Sequence, residues 1–387
     1  MNNESMNPES IIPGSVDTEP KEEVAVVTRE SVGRRRVLQA GAAMALGTAW
    51  LASPARAQVR AGAGQVIIRS PGGVLEETFR KTTCDPFTQE TGIEVVMVPS
   101  TTGKMLAMFA SGNVELDVLD IELAPLLTLH RQDALATLNY DGWKYSNPST
   151  IDALVRQPKY VGNYYFSTGM GYNTQAYPNG TQPKSWAEFW DVQRFPGART
   201  LPSMQTGVVA LEFALLADGV PADKLYPIDV DRAFKSLDRI KPHVRKYWDA
   251  GAASMQMLTE KEVVLGAFYS GRVQAAKDAG AAVEVEWNQQ MLQAQVFAIF
   301  KGAKNLENAR RFVDFAVQPK MQAAYFTKYN YGPSNSQALK LMTPEIIERL
   351  PNSPDHRAKS FHMDAVWWDE HRAAISTRWS QWLLRRA

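Results

Sequence analysis

From Gln65 onward the chain alternates short apolar runs with stretches of helical spacing. Gln65-Val66-Ile67-Ile68-Arg69 predicts a strand, Ser70-Pro71-Gly72-Gly73 a turn, and 74–90, with Leu75, Phe79 and Phe87 on one face, a helix. Glu94-Val95-Val96-Met97-Val98 predicts the next strand, 104–110 a helix, and Leu116-Asp117-Val118-Leu119-Asp120-Ile121 a buried strand followed by a helix over 125–135. Strand, loop, helix, strand is the βα unit, and its repetition points to an α/β sheet that is at least partly parallel. From Tyr160 to Asn173 the pattern turns extended, through Tyr164-Tyr165-Phe166 and Gly169-Met170-Gly171-Tyr172-Asn173. This is where the chain is expected to leave a first lobe.

A second α/β unit follows. Ser185 and Glu188 form a capping box at the start of a helix containing Trp186, Phe189 and Trp190. Arg199-Thr200-Leu201-Pro202 predicts a short strand, 208–216 an apolar helix closed by Asp218-Gly219, and 229–240 and 253–260 further helices. Strands are expected at 262–269, 283–287 and 293–300, with a helix at 271–280 between the first two. The run 305–317 is amphipathic, with Ala309, Phe312, Val313 and Ala316 on one face. Pro319-Lys320-Met321 reopens a helix that Tyr329-Asn330-Tyr331-Gly332-Pro333 breaks, and 360–384 reads as a helix carrying Phe361, Trp367, Trp368 and Trp379. There is no tandem repeat.

Residues 1–57 change the picture by setting the compartment. Arg34-Arg35-Arg36-Val37-Leu38 precedes an apolar run over 40–51 and a small-x-small end at Ala55-Arg56-Ala57, the three parts of a removable signal peptide. The run is too short, and too rich in Ala and Gly, for a transmembrane helix. Paired arginines before an apolar residue and a leucine resemble the twin-arginine signal, which serves export of folded bacterial proteins, although three arginines also occur in ordinary signals. The polar, acidic stretch before them is expected to be disordered. The mature part, 58–387, exceeds one typical core length, so two lobes are the default. A formal charge of +1, without the concentrated basic face that a nucleic-acid binder needs, argues against nucleic acid as a partner. The single cysteine, Cys84, excludes an intramolecular disulfide and a cysteine zinc site.

Several segments, taken in order, resemble the extracellular solute-binding proteins of ABC importers, in the spermidine/putrescine-binding branch. They are Pro86-Phe87-Thr88-Gln89-Glu90-Thr91-Gly92-Ile93-Glu94-Val95, Gly169-Met170-Gly171-Tyr172-Asn173, the run from Pro183 to Asp191, Leu265-Gly266-Ala267-Phe268-Tyr269-Ser270-Gly271, and Ala309-Arg310-Arg311-Phe312-Val313-Asp314-Phe315. The resemblance implies a periplasmic binding protein-like fold, two α/β lobes joined by crossing hinge strands (type II). The first lobe would comprise 58–169 and 296–333, the second 170–295 and 334–387. It also implies a periplasmic monomer without a cofactor, binding a small-molecule solute between the lobes and delivering it to the transmembrane subunits of an ABC permease.

A solute held between lobes is removed from water, so its charges need fixed partners, and loops at the carboxyl ends of parallel strands supply them. That rule selects Arg69, Ser70, Gly72 and Gly73, then Ser100 and Thr101, then Glu122, then Ser203, Gln205 and Thr206, and Tyr269. Gly72-Gly73 either presents N–H groups to a carboxylate or forms an ordinary turn. The 203–207 stretch opens an apolar helix whose free N–H groups favour an anion. Trp248, Tyr269 and Trp287 are the aromatic candidates to face an ammonium. Gln293 and Gln295 share a face where the chain crosses back. Polyamine binders of this family carry paired acids near the segment that here reads Pro202-Ser203-Met204-Gln205-Thr206, without a carboxylate. Glu122 is then the best amine partner and Arg69 the best carboxylate partner, unless Arg69 turns out into a surface salt bridge. The combination suits a zwitterion, an amino acid or an aminobutyrate-like solute, better than spermidine, with an organic carboxylate as the alternative. An enzyme on the same scaffold is disfavoured: the five histidines form no HExxH spacing, Cys84 reads as a buried small residue, and neither GxSxG nor a phosphate-cradling loop is present.

Overall fold

The computed structural model describes residues 63–385 apart from Pro71 and Val208, so the leader and signal read at 1–57 lie outside the described residues. Eleven strands form one mixed sheet: β1 (Gln65–Ser70), β2 (Glu94–Pro99), β3 (Val118–Glu122), β4 (Arg156–Gln157), β5 (Tyr160–Asn173), β6 (Arg199–Pro202), β7 (Val244–Trp248), β8 (Leu265–Tyr269), β9 (Val283–Ile299), β10 (Gly332–Pro333) and β11 (Phe361–His362). The order along the sheet is β2-β1-β3-β9-β5-β8-β6-β7. Its two ends are parallel, β1 with β2 and β3, and β6 with β7 and β8. Helices connect those strands, which is how a parallel pair has to be closed.

The middle is different. β5 and β9 run antiparallel and are long enough to belong to both halves. Val161 and Tyr165 of β5 and 296–299 of β9 pack in one core, with Val66, Phe87, Leu126 and Phe312. Met170 and Tyr172 of β5 and Met291 of β9 pack in a second, with Trp186, Leu211, Phe213 and Trp368. A satellite cluster around Trp248, Phe268 and Val283 extends the second half. Two antiparallel ribbons shared by two cores are the crossing hinge strands of a two-lobe type II fold. Their pairing shifts between Gly162 and Tyr164 and again between Thr168 and Met170, and such bulges bend a ribbon and re-aim its side chains. Gly162 allows the first: a Cβ there would meet Val155 Cγ2 at 2.4 Å.

Most predicted elements are present, with differences that have physical causes. The helix expected over 74–90 is Gly73–Phe79, one π-helical turn Arg80–Cys84, and Asp85–Thr91. The two strands expected at 283–287 and 293–300 are the single β9, continuous through Gln289, which adopts φ 58 and takes Trp186 Nε1–H onto its carbonyl. β7, ending at Trp248, was missed because its burial pattern does not alternate. The helix expected from 208 is described as Leu211–Ala217, preceded by a separate 3₁₀ turn at Met204–Thr206. The stretch 334–350, expected with the second lobe, packs on the first: Ala338, Met342 and Leu350 join its core, and Asn335 donates to the Val317 carbonyl at 3.0 Å. The chain reaches the second core only at Phe361, beside β9.

Candidate functional site

Two adjoining hollows of about 450 and 150 Å3 share Glu122, Tyr164 and Gln295 and form one cleft along the crossing strands. Register explains its floor. Tyr164 pairs with Gln295 and Phe166 with Gln293 across β5 and β9, so all four side chains fall on one face. Gln293 accepts from Thr168 Oγ1 at 3.0 Å, and Gln295 bonds the carboxyl of Asp120 beneath. A separate hollow of about 320 Å3 is lined by Trp143, Tyr145 and Asp314 of the first lobe, so a ligand there would not bridge the lobes.

The first-lobe wall carries charge from strand ends. Arg69 is the penultimate residue of β1; its Nε donates to the Ser100 carbonyl at 2.9 Å and its Nη1 to the Asp120 carbonyl. Those bonds aim the guanidinium into the cleft rather than into a surface salt bridge. Asp120 is 4% exposed, and burial pushes its pKa up to about 6, with Arg69, Asn163 and Gln295 opposing. Glu122 ends β3. Water reaches it through the cleft, yet enough protein surrounds the carboxyl that desolvation raises its pKa, opposed by Arg372 and then Arg69. An acid in that setting stabilises a bound cation more than an exposed one would.

Aromatic rings complete the smaller hollow. Tyr164 and Tyr331 stack at 4.8 Å with 15° between planes, and Tyr269 lies edge-on to Phe166 at 6.1 Å. Burial raises the pKa of Tyr164, Tyr269 and Tyr331, so all three stay neutral. The second-lobe side adds Gln205, Thr206, Gly207, Arg272 and Arg372. Arg372 comes from the C-terminal helix Ala365–Leu384, which Trp367, Trp368, Trp379 and Trp382 anchor in the second core. That helix also meets the first lobe: Ala124, Leu127 and Ala365 form a small buried cluster, Thr128 Oγ1 donates to Asp369 at 3.0 Å, and Arg131 pairs with Asp369.

Of the residues selected from the sequence, Arg69, Glu122, Gln205, Thr206, Tyr269, Gln293 and Gln295 line the cleft. The others are placed differently. Ser70 Oγ donates to Glu76 and accepts the Gly72 N–H at 2.9 Å, so the Gly72-Gly73 loop is a closed turn outside the lining. Ser100 contributes a carbonyl to Arg69, and Thr101 caps the helix Thr102–Ser111 by accepting from the Lys104 N–H. Ser203 accepts from the Gln205 N–H at 3.1 Å and so caps a single 3₁₀ turn, Met204–Thr206, in place of the apolar helix expected to open there with free N–H groups for an anion. Trp248 is 1% exposed and donates to the Ala267 carbonyl at 2.9 Å, a core residue behind Tyr269. Trp287 stacks on His356. Tyr164, Phe166 and Tyr331 were missed, although alternation from Gln293 and Gln295 across the β5 pairing exposes the first two. Arg272 and Arg372 carry no such signal, since helix packing alone brings them in. Among the described residues, no three His, Cys, Asp or Glu side chains gather as a metal site, and no helix is long and apolar enough to cross a membrane.

This geometry agrees with what the chain is similar to. The family model of bacterial extracellular solute-binding proteins matches residues 82–354. A gamma-aminobutyric acid-binding protein of Pseudomonas aeruginosa is 32% identical, the match covering 87% of this chain and 95% of that protein. A spermidine/putrescine-binding periplasmic protein of Escherichia coli is 26% identical over 74% and 80%. The crystal structure of an ABC transporter substrate-binding protein from Bradyrhizobium japonicum superposes with a TM-score of 0.77 at 34% identity, covering 83% of this chain and 99% of that one. The matched proteins bind solutes rather than transform them, and a charged, tyrosine-lined cleft between two lobes is what such binding requires. The chain belongs to the bacterial extracellular solute-binding protein family.

Proposed function

We propose that the chain is the periplasmic receptor of an ABC importer for a small zwitterionic, aminobutyrate-like solute, which it binds as a monomer and presents to the permease. The observation that carries this is Glu122, the one carboxylate lining a tyrosine-rich cleft that also contains Arg69. Glu122 takes the ammonium, with the rings of Tyr269, Tyr164 and Tyr331 adding roughly 0.5–2 kcal/mol each as cation–π partners. A polyamine would need a second acid at its far end, and the second-lobe lining offers Gln205 and arginines instead. The name of the Pseudomonas relative supports the same solute class. Residues 31–57 support export by a twin-arginine signal: Lys in place of Arg34, Arg35 and Arg36 is expected to retain a fused reporter in the cytoplasm.

The test is calorimetry on the mature chain with γ-aminobutyrate, other amino acids, putrescine, spermidine, betaines and dicarboxylates. One-to-one binding of a zwitterion is expected. Response to dicarboxylates or sugars alone would sink the reading. An organic carboxylate is the second reading, favoured by three arginines, Arg69, Arg272 and Arg372, around a single glutamate in the lining.

A further inference from the structure

We infer that Arg372 is the residue that makes this cleft select a solute with opposite charges at its two ends over a diamine. It holds the carboxylate from the second lobe while Glu122 holds the ammonium from the first. The inference deepens the proposed function and rests on it.

The three arginines of the lining differ in what already occupies them. Arg69 is bonded to two main-chain carbonyls. Arg272 is exposed, beside Tyr269 and Tyr331. Arg372 is half-buried, and its guanidinium carbon stands 5.9 Å from the Trp368 ring centre, the only interaction of that kind it makes. Among the described residues it has neither a hydrogen-bond acceptor nor an ion pair, although burial already lowers its pKa and Glu122 is the charge that opposes this. A partly desolvated guanidinium with idle donors is costly unless an anion completes it, and its planar fork suits a carboxylate. The Trp368 ring beneath it is fixed by a bond to the buried Glu212 at 2.6 Å, while the guanidinium itself is left untethered for a ligand.

Glu122 and Arg372 line the same hollow from opposite lobes and sense each other, yet they are not in direct ion-pair contact. The hollow of about 450 Å3 that both line has room for a short chain with an ammonium at one end and a carboxylate at the other. Such a solute satisfies both walls at once and so ties the lobes together. A diamine would set its second ammonium against Arg372, and a dicarboxylate would set one anion against Glu122; each is rejected by repulsion as well as by lost contacts.

The test is titration calorimetry of the mature chain and its Arg372→Gln, Arg372→Lys, Arg372→Glu and Glu122→Gln variants with γ-aminobutyrate, putrescine and glutarate, with melting curves to establish folding. Arg372→Gln is expected to weaken γ-aminobutyrate by roughly 10–100-fold. Arg372→Lys should lose part of that affinity but still reject putrescine, and Arg372→Glu should reverse the preference toward putrescine. If Glu122→Gln abolishes γ-aminobutyrate binding while folded Arg372→Gln and Arg372→Lys bind as the unaltered chain does, the inference falls and the proposed function stands. If the unaltered chain binds only glutarate, both fall.

Discussion

The two walls of the cleft hold their charges in opposite ways. On the first lobe, Arg69 and Glu122 sit at the ends of β1 and β3, and the Arg69 guanidinium is bonded to the main-chain carbonyls of Ser100 and Asp120. On the second lobe, two of the strand-end residues are taken up by the fold, Ser203 capping its own turn and Trp248 sealed in the core, and those that do reach the cleft, Gln205, Thr206 and Tyr269, are uncharged. There the charge comes from the exposed Arg272 and from Arg372, on the helix Ala365–Leu384, held only by an aromatic face. A preorganised wall reads one end of a solute with little loss of side-chain freedom, whereas an untethered one pays for ordering on binding and is the easier place for ligand preference to change.

The largest expected effect falls on the preorganised wall. Glu122→Gln should weaken binding of a zwitterion by about 3 kcal/mol, more than 100-fold by calorimetry, because it removes the one acid of the lining. Unchanged affinity would move the amine site elsewhere. Trp248→Phe should sharpen the contrast from the other side. Leaving the Ala267 carbonyl without its donor should cost about 1–3 kcal/mol of stability by urea melts, with affinity almost unaltered; a large loss of binding at full stability would restore Trp248 as a ligand contact.

Asp120 gives the contrast a pH dependence. Burial lifts its pKa from 3.8 to about 6. The folded chain therefore holds a proton more tightly than the unfolded chain between those values, and this group's contribution to stability falls as pH rises through the window, then levels off. Asp120→Asn should flatten that slope, worth about 1–3 kcal/mol between acidic and neutral melts. A slope that survives the substitution belongs to another group. The smallest effect is expected where the walls touch. Asp369→Asn weakens the pair with the half-exposed Arg131 and should cost up to about 1 kcal/mol of lobe closure, seen as a modest rise in radius of gyration by X-ray scattering.

The βα alternation, the long extended run at 160–173 and the strand-end rule were enough to find both lobes, the crossing at β5 and seven lining residues. They worked because local periodicity and strand ends are properties of short segments. The same rule proposed Ser70, Gly72, Gly73, Ser100, Thr101 and Ser203, whose polar groups the structure employs in closing turns, capping or tethering Arg69. The hydroxyls of Ser70, Thr101 and Ser203 find N–H partners two or three residues on, and only coordinates show that these reach them first.

By itself the sequence determined an α/β chain long enough for two lobes, the extended run that became β5, and a first-lobe wall with Arg69 and Glu122, because each follows from chain length or from patterns within a few residues. That β9 runs unbroken beside β5 only the structure showed. Tertiary structure alone decided the charge of the second-lobe wall. Arg372 lies 250 positions from Glu122, and it reaches the cleft because four tryptophans of its own helix bury one side of that helix in the second core and carry the arginine, one turn after Trp368 at the edge of that side, to the lining. Long-range packing of that kind has no period to read along the chain.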